Sequence, residues 1–128
     1  MIGAGRTELF EGLLGLRPSR AQVEFEGRPV RIHSPREAID LGIGYLTEDR
    51  KGMGLLLNER LAPNLTLSAL ARFHPGLWLC KRREAAALQA AVSDYDIRLK
   101  GAGMRAGQLS GGNQQKLLLA KVLLTEPS

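Results

Sequence analysis

The chain has 128 residues, 44% of them apolar and 24% charged, with a formal net charge of +5. That is enough for one ordinary domain with a core, and too apolar for a disordered chain. One cysteine, Cys80, excludes an internal disulfide, and six aromatic rings (three Phe, two Tyr, one Trp) are too few for base-stacking platforms, so no nucleic-acid partner is expected and the basic charge reads first as a solvated surface.

Residues 7–16 read as a helix, with Leu9, Phe10, Leu13, Leu14 and Leu16 at helical spacing and Gly15 and Pro18 closing it. Residues 22–25 and 29–32 read as two short strands around Glu26-Gly27-Arg28. Ser34, followed by Pro35 and then Glu37, is the N-cap, first-turn proline and capping-box acid of a second helix, which ends near Gly42. Residues 43–47 form a short apolar run, read as a buried strand, and residues 48–54 a charged loop containing glycine. Residues 63–73 read as a helix with Leu67, Leu70 and Phe73 inward, broken by His74-Pro75-Gly76. Cys80, beside Trp78, reads as a plain core residue. From Lys81 to about Tyr95 runs an alanine-rich helix with Ala85, Leu88 and Val92 on one stripe. A glycine-rich linker, 101–107, leads to Ser110, which opens a last helix running to about Leu124. Interspersed helices and strands make the class α/β.

Two stretches have the chemistry of phosphate sites. Gly3-Ala4-Gly5-Arg6-Thr7 is a glycine turn leading into a helix, where free amides and the helix dipole favour an anion. It matches the second half of the P-loop pattern with Arg6 in the lysine slot, and a planar guanidinium does not replace a compact ammonium. Leu109-Ser110-Gly111-Gly112-Asn113-Gln114-Gln115-Lys116 places a hydroxyl N-cap and two side-chain-free positions at the start of a long helix. A glycine-rich cap with nothing bound would look alike from Ser-Gly-Gly alone.

The whole octapeptide resembles the signature motif of ABC ATPases, in the form found in sugar-import ATP-binding subunits of the ribose, galactose and xylose type. The other blocks then fall into register. Gly3-Ala4-Gly5-Arg6-Thr7-Glu8 resembles the altered Walker A of the second nucleotide-binding domain of such tandem subunits. The stretch from Gly44 to Leu55 resembles its Q-loop region, with Glu48 at the Gln position, and Asn64-Leu65-Thr66-Leu67 resembles the start of its helical subdomain. The implied fold is an incomplete P-loop NTPase domain: 1–55 as α/β core with a small hairpin region, 56–108 as helical subdomain, 109–128 as signature helix. The Walker B strand, catalytic glutamate and switch histidine of the family are expected beyond Ser128, so no catalytic residue is assigned in this chain.

The resemblance implies a carbohydrate importer whose ATPase couples ATP to sugar uptake, with ATP and Mg2+ as ligands and Thr7 as the metal-side hydroxyl. Leu109, Ser110, Gly111, Gly112, Asn113 and Gln114 would complete an ATP held by a partner nucleotide-binding domain. Other implied partners are transmembrane permease subunits and, indirectly, a periplasmic sugar-binding protein; the place is the cytoplasmic face of the inner membrane, peripherally. The intact signature beside an altered Walker A implies asymmetry, and the chain alone is expected to be inactive. Two alternatives stay open at this level: an ABC ATPase acting in nucleic-acid repair or translation, and a non-hydrolysing regulatory nucleotide-binding module.

Overall fold

Helix α1, Arg6–Leu13, starts from Gly5 in a left-handed conformation (φ 93°). In the computed structural model, which describes residues 5–47, 54–74, 76 and 78–127, this helix stops three residues short of the 16 expected from apolar spacing. Gly15 is the reason. It takes φ +72°, and a Cβ there would lie 2.4 Å from the backbone of His33 and Ser34, so only glycine fits. The Leu16 amide then donates to Glu11 O at 2.8 Å and closes the helix end. Glu11 is buried and ion-pairs with Arg17.

Strands β1, Val23–Phe25, and β2, Arg28–Val30, pair antiparallel with Phe25 opposite Arg28. The connection is therefore the two residues Glu26 and Gly27, both at positive φ (50° and 73°), and not the three-residue turn expected. Two positive φ values match the right-handed twist of the strands they join. Helix α2, Pro35–Asp40, is capped as the sequence dictates, Ser34 Oγ accepting from Glu37 N. The Glu37 carboxylate reaches back one residue further than a standard box, to His33 N at 2.9 Å.

Residues 43–47 are not a strand, contrary to expectation. A strand exists only when a neighbour completes its ladder, and among the described residues the paired strands are 23–25 and 28–30. Thr47 is buried nonetheless.

Contacts divide the chain into two units, Met1–Gly44 with Pro127–Ser128, and Tyr45–Glu126. The first has a small apolar centre of Leu14, Ile32 and Ala38. The second is built on α3 (Leu61–Thr66), α4 (Lys81–Asp94) and α5 (Gly111–Leu123), with α3 packed against both others. Leu61, Leu65 and Leu117 are its most completely buried leucines, and each contributes about 1.5–3 kcal/mol of transfer free energy.

Two faces differ from those expected. After Thr66 the chain tightens into a 3₁₀ helix, Leu67–Arg72, and Ala69 leaves helical geometry (φ −126°, ψ 30°). The inward positions become Leu61, Leu65, Ala69 and Phe73, while Leu67 and Leu70 are exposed. The kink rephases the face, which a constant helical period cannot anticipate. In α4 the buried stripe is Glu84, Leu88 and Ala91, so Ala85 is exposed. The rotation brings the Glu84 carboxylate under the Thr66 hydroxyl at 2.5 Å, a bond that recovers part of the cost of burying it. Cys80 is half-buried at the N-cap of α4, and Trp78 is 82% exposed, so neither is a core residue.

Candidate functional site

Helix α5 begins where the octapeptide places it. Ser110 is its N-cap, with Oγ accepting from Asn113 N at 3.4 Å and from Asn113 Nδ2 at 2.8 Å. Ser110, Gly111 and Gly112 are exposed at the N-terminal end of α5. A Cβ added to Gly112 would meet nothing within 4 Å. The chain's own packing therefore does not require glycine there, although glycine in place of alanine weakens a helix by roughly 0.5–1 kcal/mol. Bare backbone facing open space is what a close-approaching anion needs.

The turn is held rigidly from below. Leu109 and Gln114 are buried, and Gln114 Nε2 donates to Ala106 O (3.3 Å) and Leu109 O (3.1 Å). Ala106 N and Gly107 N donate to Glu59 O and Leu57 O, both at 2.9 Å. The 56–60 loop is held in turn by Asn64, which is fully buried. Its Oδ1 accepts from Leu56 N at 2.7 Å, and its Nδ2 donates to Leu56 O at 2.8 Å and Arg60 O at 3.0 Å. An amide side chain bonded to both groups of one backbone residue acts as a strand neighbour would. On the outer side, Arg98 N donates to Asn113 Oδ1 at 2.9 Å and Lys116 Nζ donates to Asp96 O at 2.7 Å. Three of the motif's polar side chains, Asn113, Gln114 and Lys116, are thus committed to holding the turn.

At the far end of α5, Lys121 is 9% exposed, and its Nζ donates to Gly54 O at 2.8 Å. Burial pushes this amine below the ordinary lysine value. In the sequence Asn64 stands out only as part of the stretch that resembles the start of the helical subdomain, and Lys121 does not stand out at all. Their partners are 8 and 67 residues away, and a polar residue on a helix gives no local sign of being buried.

At the other candidate stretch, Gly5 is in left-handed geometry, Arg6 and Glu8 are exposed and Thr7 is partly exposed, all at the start of α1. Glu8 lies 3.8 Å from Arg17 Nη1. A carboxylate in the first turn stabilises the helix itself and opposes a bound anion. Gly3, Ala4 and Glu48 lie outside the described residues. Among the described residues no cluster of three or more His, Cys, Asp or Glu is placed to hold a metal, and no helix is long and apolar enough to cross a membrane.

The fold is that of an ATP-binding cassette. It superposes on the dimeric structure of the ATP-binding cassette MJ0796 in a post-hydrolysis state bound to ADP and Pi, with a TM-score of 0.69 over 98% of this chain and 53% of that one, at 18% identity. The chain belongs to the ABC transporter family, whose profile matches residues 2–128. Among its relatives are ribose import ATP-binding protein RbsA 2 of Escherichia coli O157:H7, 44% identical over 137 residues, and ribose import ATP-binding protein RbsA of Burkholderia pseudomallei (strain K96243), 43% identical over 128 residues. These alignments cover 100% and 99% of this chain but 27% and 25% of the relatives. The chain spans about a quarter of the length of the curated relatives it matches.

Proposed function

We propose that this chain is the signature-bearing part of the ATP-binding subunit of a sugar importer, and that Ser110, Gly111 and Gly112 contact the γ-phosphate of an ATP held by a partner nucleotide-binding domain. The observation that carries this reading is the first turn of α5, with its exposed Ser110 hydroxyl and its bare, unobstructed Gly112 backbone. ATP supplies the acceptor oxygens there. Donors from Ser110 and the first-turn amides bond to charged oxygens and contribute roughly 1.5–3 kcal/mol each. They form only when two domains close on the nucleotide, so ATP favours the closed pair by its differential affinity for it. The names of the relatives support sugar import, of the ribose class.

The chain's own half-site, Gly3 to Glu8 with Thr7 toward Mg2+, is the weaker one in this reading. Exposed Arg6 and first-turn Glu8 together make a poor cradle for a polyanion. The chain serves a partner's ATP well and its own badly, and by itself it does not hydrolyse ATP. Its place is the cytoplasmic face of the inner membrane, against permease subunits that work with a periplasmic sugar-binding protein. In the full-length subunit assembled with its permease, Ser110→Arg abolishes ATP turnover while Arg6→Ala costs much less. Equal loss from the two substitutions refutes the asymmetry, and normal turnover in Ser110→Arg refutes the reading as a whole.

A further inference from the structure

We propose that Asn113 is a positioning residue that fixes the direction of the Ser110 hydroxyl, so that this group donates outward to a bound phosphate. The proposal rests on the reading of Ser110 as a phosphate contact and adds a cause for its competence.

The argument is one of hydrogen-bond polarity. The Arg98 backbone amide sits 2.9 Å from Asn113 Oδ1. A backbone N–H only donates, so the oxygen of the carboxamide must face it. The other end, Nδ2, is then the one 2.8 Å from Ser110 Oγ, and it only donates. The Asn113 main-chain amide approaches the same oxygen at 3.4 Å. A hydroxyl oxygen has two lone pairs and one hydrogen. Both lone pairs are engaged, and the hydrogen is left over. Among the described residues no group accepts it from Ser110.

The leftover hydrogen suits the proposed ligand, because the γ-phosphate of ATP presents acceptor oxygens only. A serine that capped its helix without Asn113 could spend its hydrogen on any nearby carbonyl or on water. With both lone pairs filled from the protein side, the hydrogen points away from the helix. This orientation is set in advance, so it costs no reorganisation when the phosphate arrives.

The segment that orients Asn113 is itself held. Asp96 takes a left-handed conformation (φ 49°), Ile97 is buried, and Ile97 N donates to Val92 O at 3.0 Å. Lys116 Nζ holds Asp96 O at 2.7 Å from the next turn of α5. The turn at 96–98, after α4, therefore sets the polarity of a hydroxyl at the start of α5. This gives a physical role to the Asn at the fifth signature position that needs no contact between Asn113 and nucleotide.

The test is a double-substitution cycle in the full-length subunit with its permease, reading kcat and KM for ATP. Asn113→Asp keeps an oxygen for Arg98 N, and an acid at this helix position is favourable, so α5 stays folded. Its second oxygen accepts the Ser110 hydrogen and turns the hydroxyl inward. We expect Ser110→Ala and Asn113→Asp each to lower kcat/KM by roughly tenfold or more, the loss of a charge-assisted hydrogen bond. Combined, they should be no worse than Ser110→Ala alone, because both remove the same donor. Losses that multiply in the double variant overturn the proposal, since they mean that the introduced carboxylate acts by its own charge. Wild-type kinetics in Asn113→Asp also overturn it. If Ser110→Ala itself leaves turnover intact, the phosphate reading has failed, and that outcome is separate from either of these.

Discussion

Asn64→Ala removes a buried carboxamide whose bonds hold the loop under the signature turn. Not every broken bond leaves an orphan. Leu56 O also accepts from Glu59 N at 3.0 Å, Glu59 O from Ala106 N at 2.9 Å, and Arg60 O from Asn64 N at 3.3 Å, so each carbonyl keeps a donor. The Leu56 amide loses its partner at 2.7 Å. Leu56 is half exposed and this bond only part-buried, so the orphaned donor costs about 1 kcal/mol, the low end of the range for a buried one, and the two shorter Nδ2 bonds contribute about 0.5–1.5 kcal/mol each. The expected loss is about 3 kcal/mol, a large part of the roughly 5–15 kcal/mol that keeps a domain folded. Urea unfolding followed by circular dichroism at 222 nm measures it. Asn64→Asp serves as the control. It keeps an acceptor for Leu56 N but sets a carboxylate oxygen against Leu56 O, so it should be at least as damaging. A loss below about 1 kcal/mol for Asn64→Ala would show that the 56–60 loop is held by something other than this side chain.

Gly112→Ala should leave the fold intact or raise its stability by up to roughly 1 kcal/mol, since the new methyl meets nothing and alanine favours helix. The same substitution should sharply lower ATP turnover of the assembled importer; unchanged turnover removes the argument for close approach of a phosphate. Lys121→Met probes the buried amine through pH. Burial lowers its folded-state value below the unfolded 10.5, so between the two the unfolded chain binds more protons. The burial cost is fully present at lower pH and is relieved as pH rises through the folded value toward 10.5. Wild type should therefore gain stability relative to Lys121→Met over that alkaline range, measured by urea unfolding at successive pH values. A difference that is flat or falls with pH contradicts a desolvated lysine.

The residue pattern was legible wherever one element decides its own shape. Ser34 before Pro35, and Ser110 before two glycines, announce helix starts because the cap bond reaches only three residues along the chain. Helix α4, which has no side-chain cap, was legible from Lys81 almost to its end through its run of alanines and other helix-favouring residues. The octapeptide was equally legible as a serine-capped, glycine-opened helix start, because the cap bond, the dipole and the absent side chains are all local properties of a helix N-terminus.

What lay beyond the sequence was whatever two distant segments settle between them. Residues 43–47 have the composition of a strand, but a ladder needs a second backbone, and composition does not supply one. The inward faces of the 67–72 segment and of α4 turned on the kink at Ala69 and on the pairing of Thr66 with Glu84, eighteen residues apart. Asn64, Gln114 and Lys121 look like surface residues in the sequence, and become buried because backbone groups of other segments lack partners until these side chains reach them. The sequence by itself determined that a hydroxyl and two glycines open α5; only the packing of the turn at 96–98 against Asn113 decided which end of its carboxamide faces that hydroxyl, because the Arg98 amide can only donate.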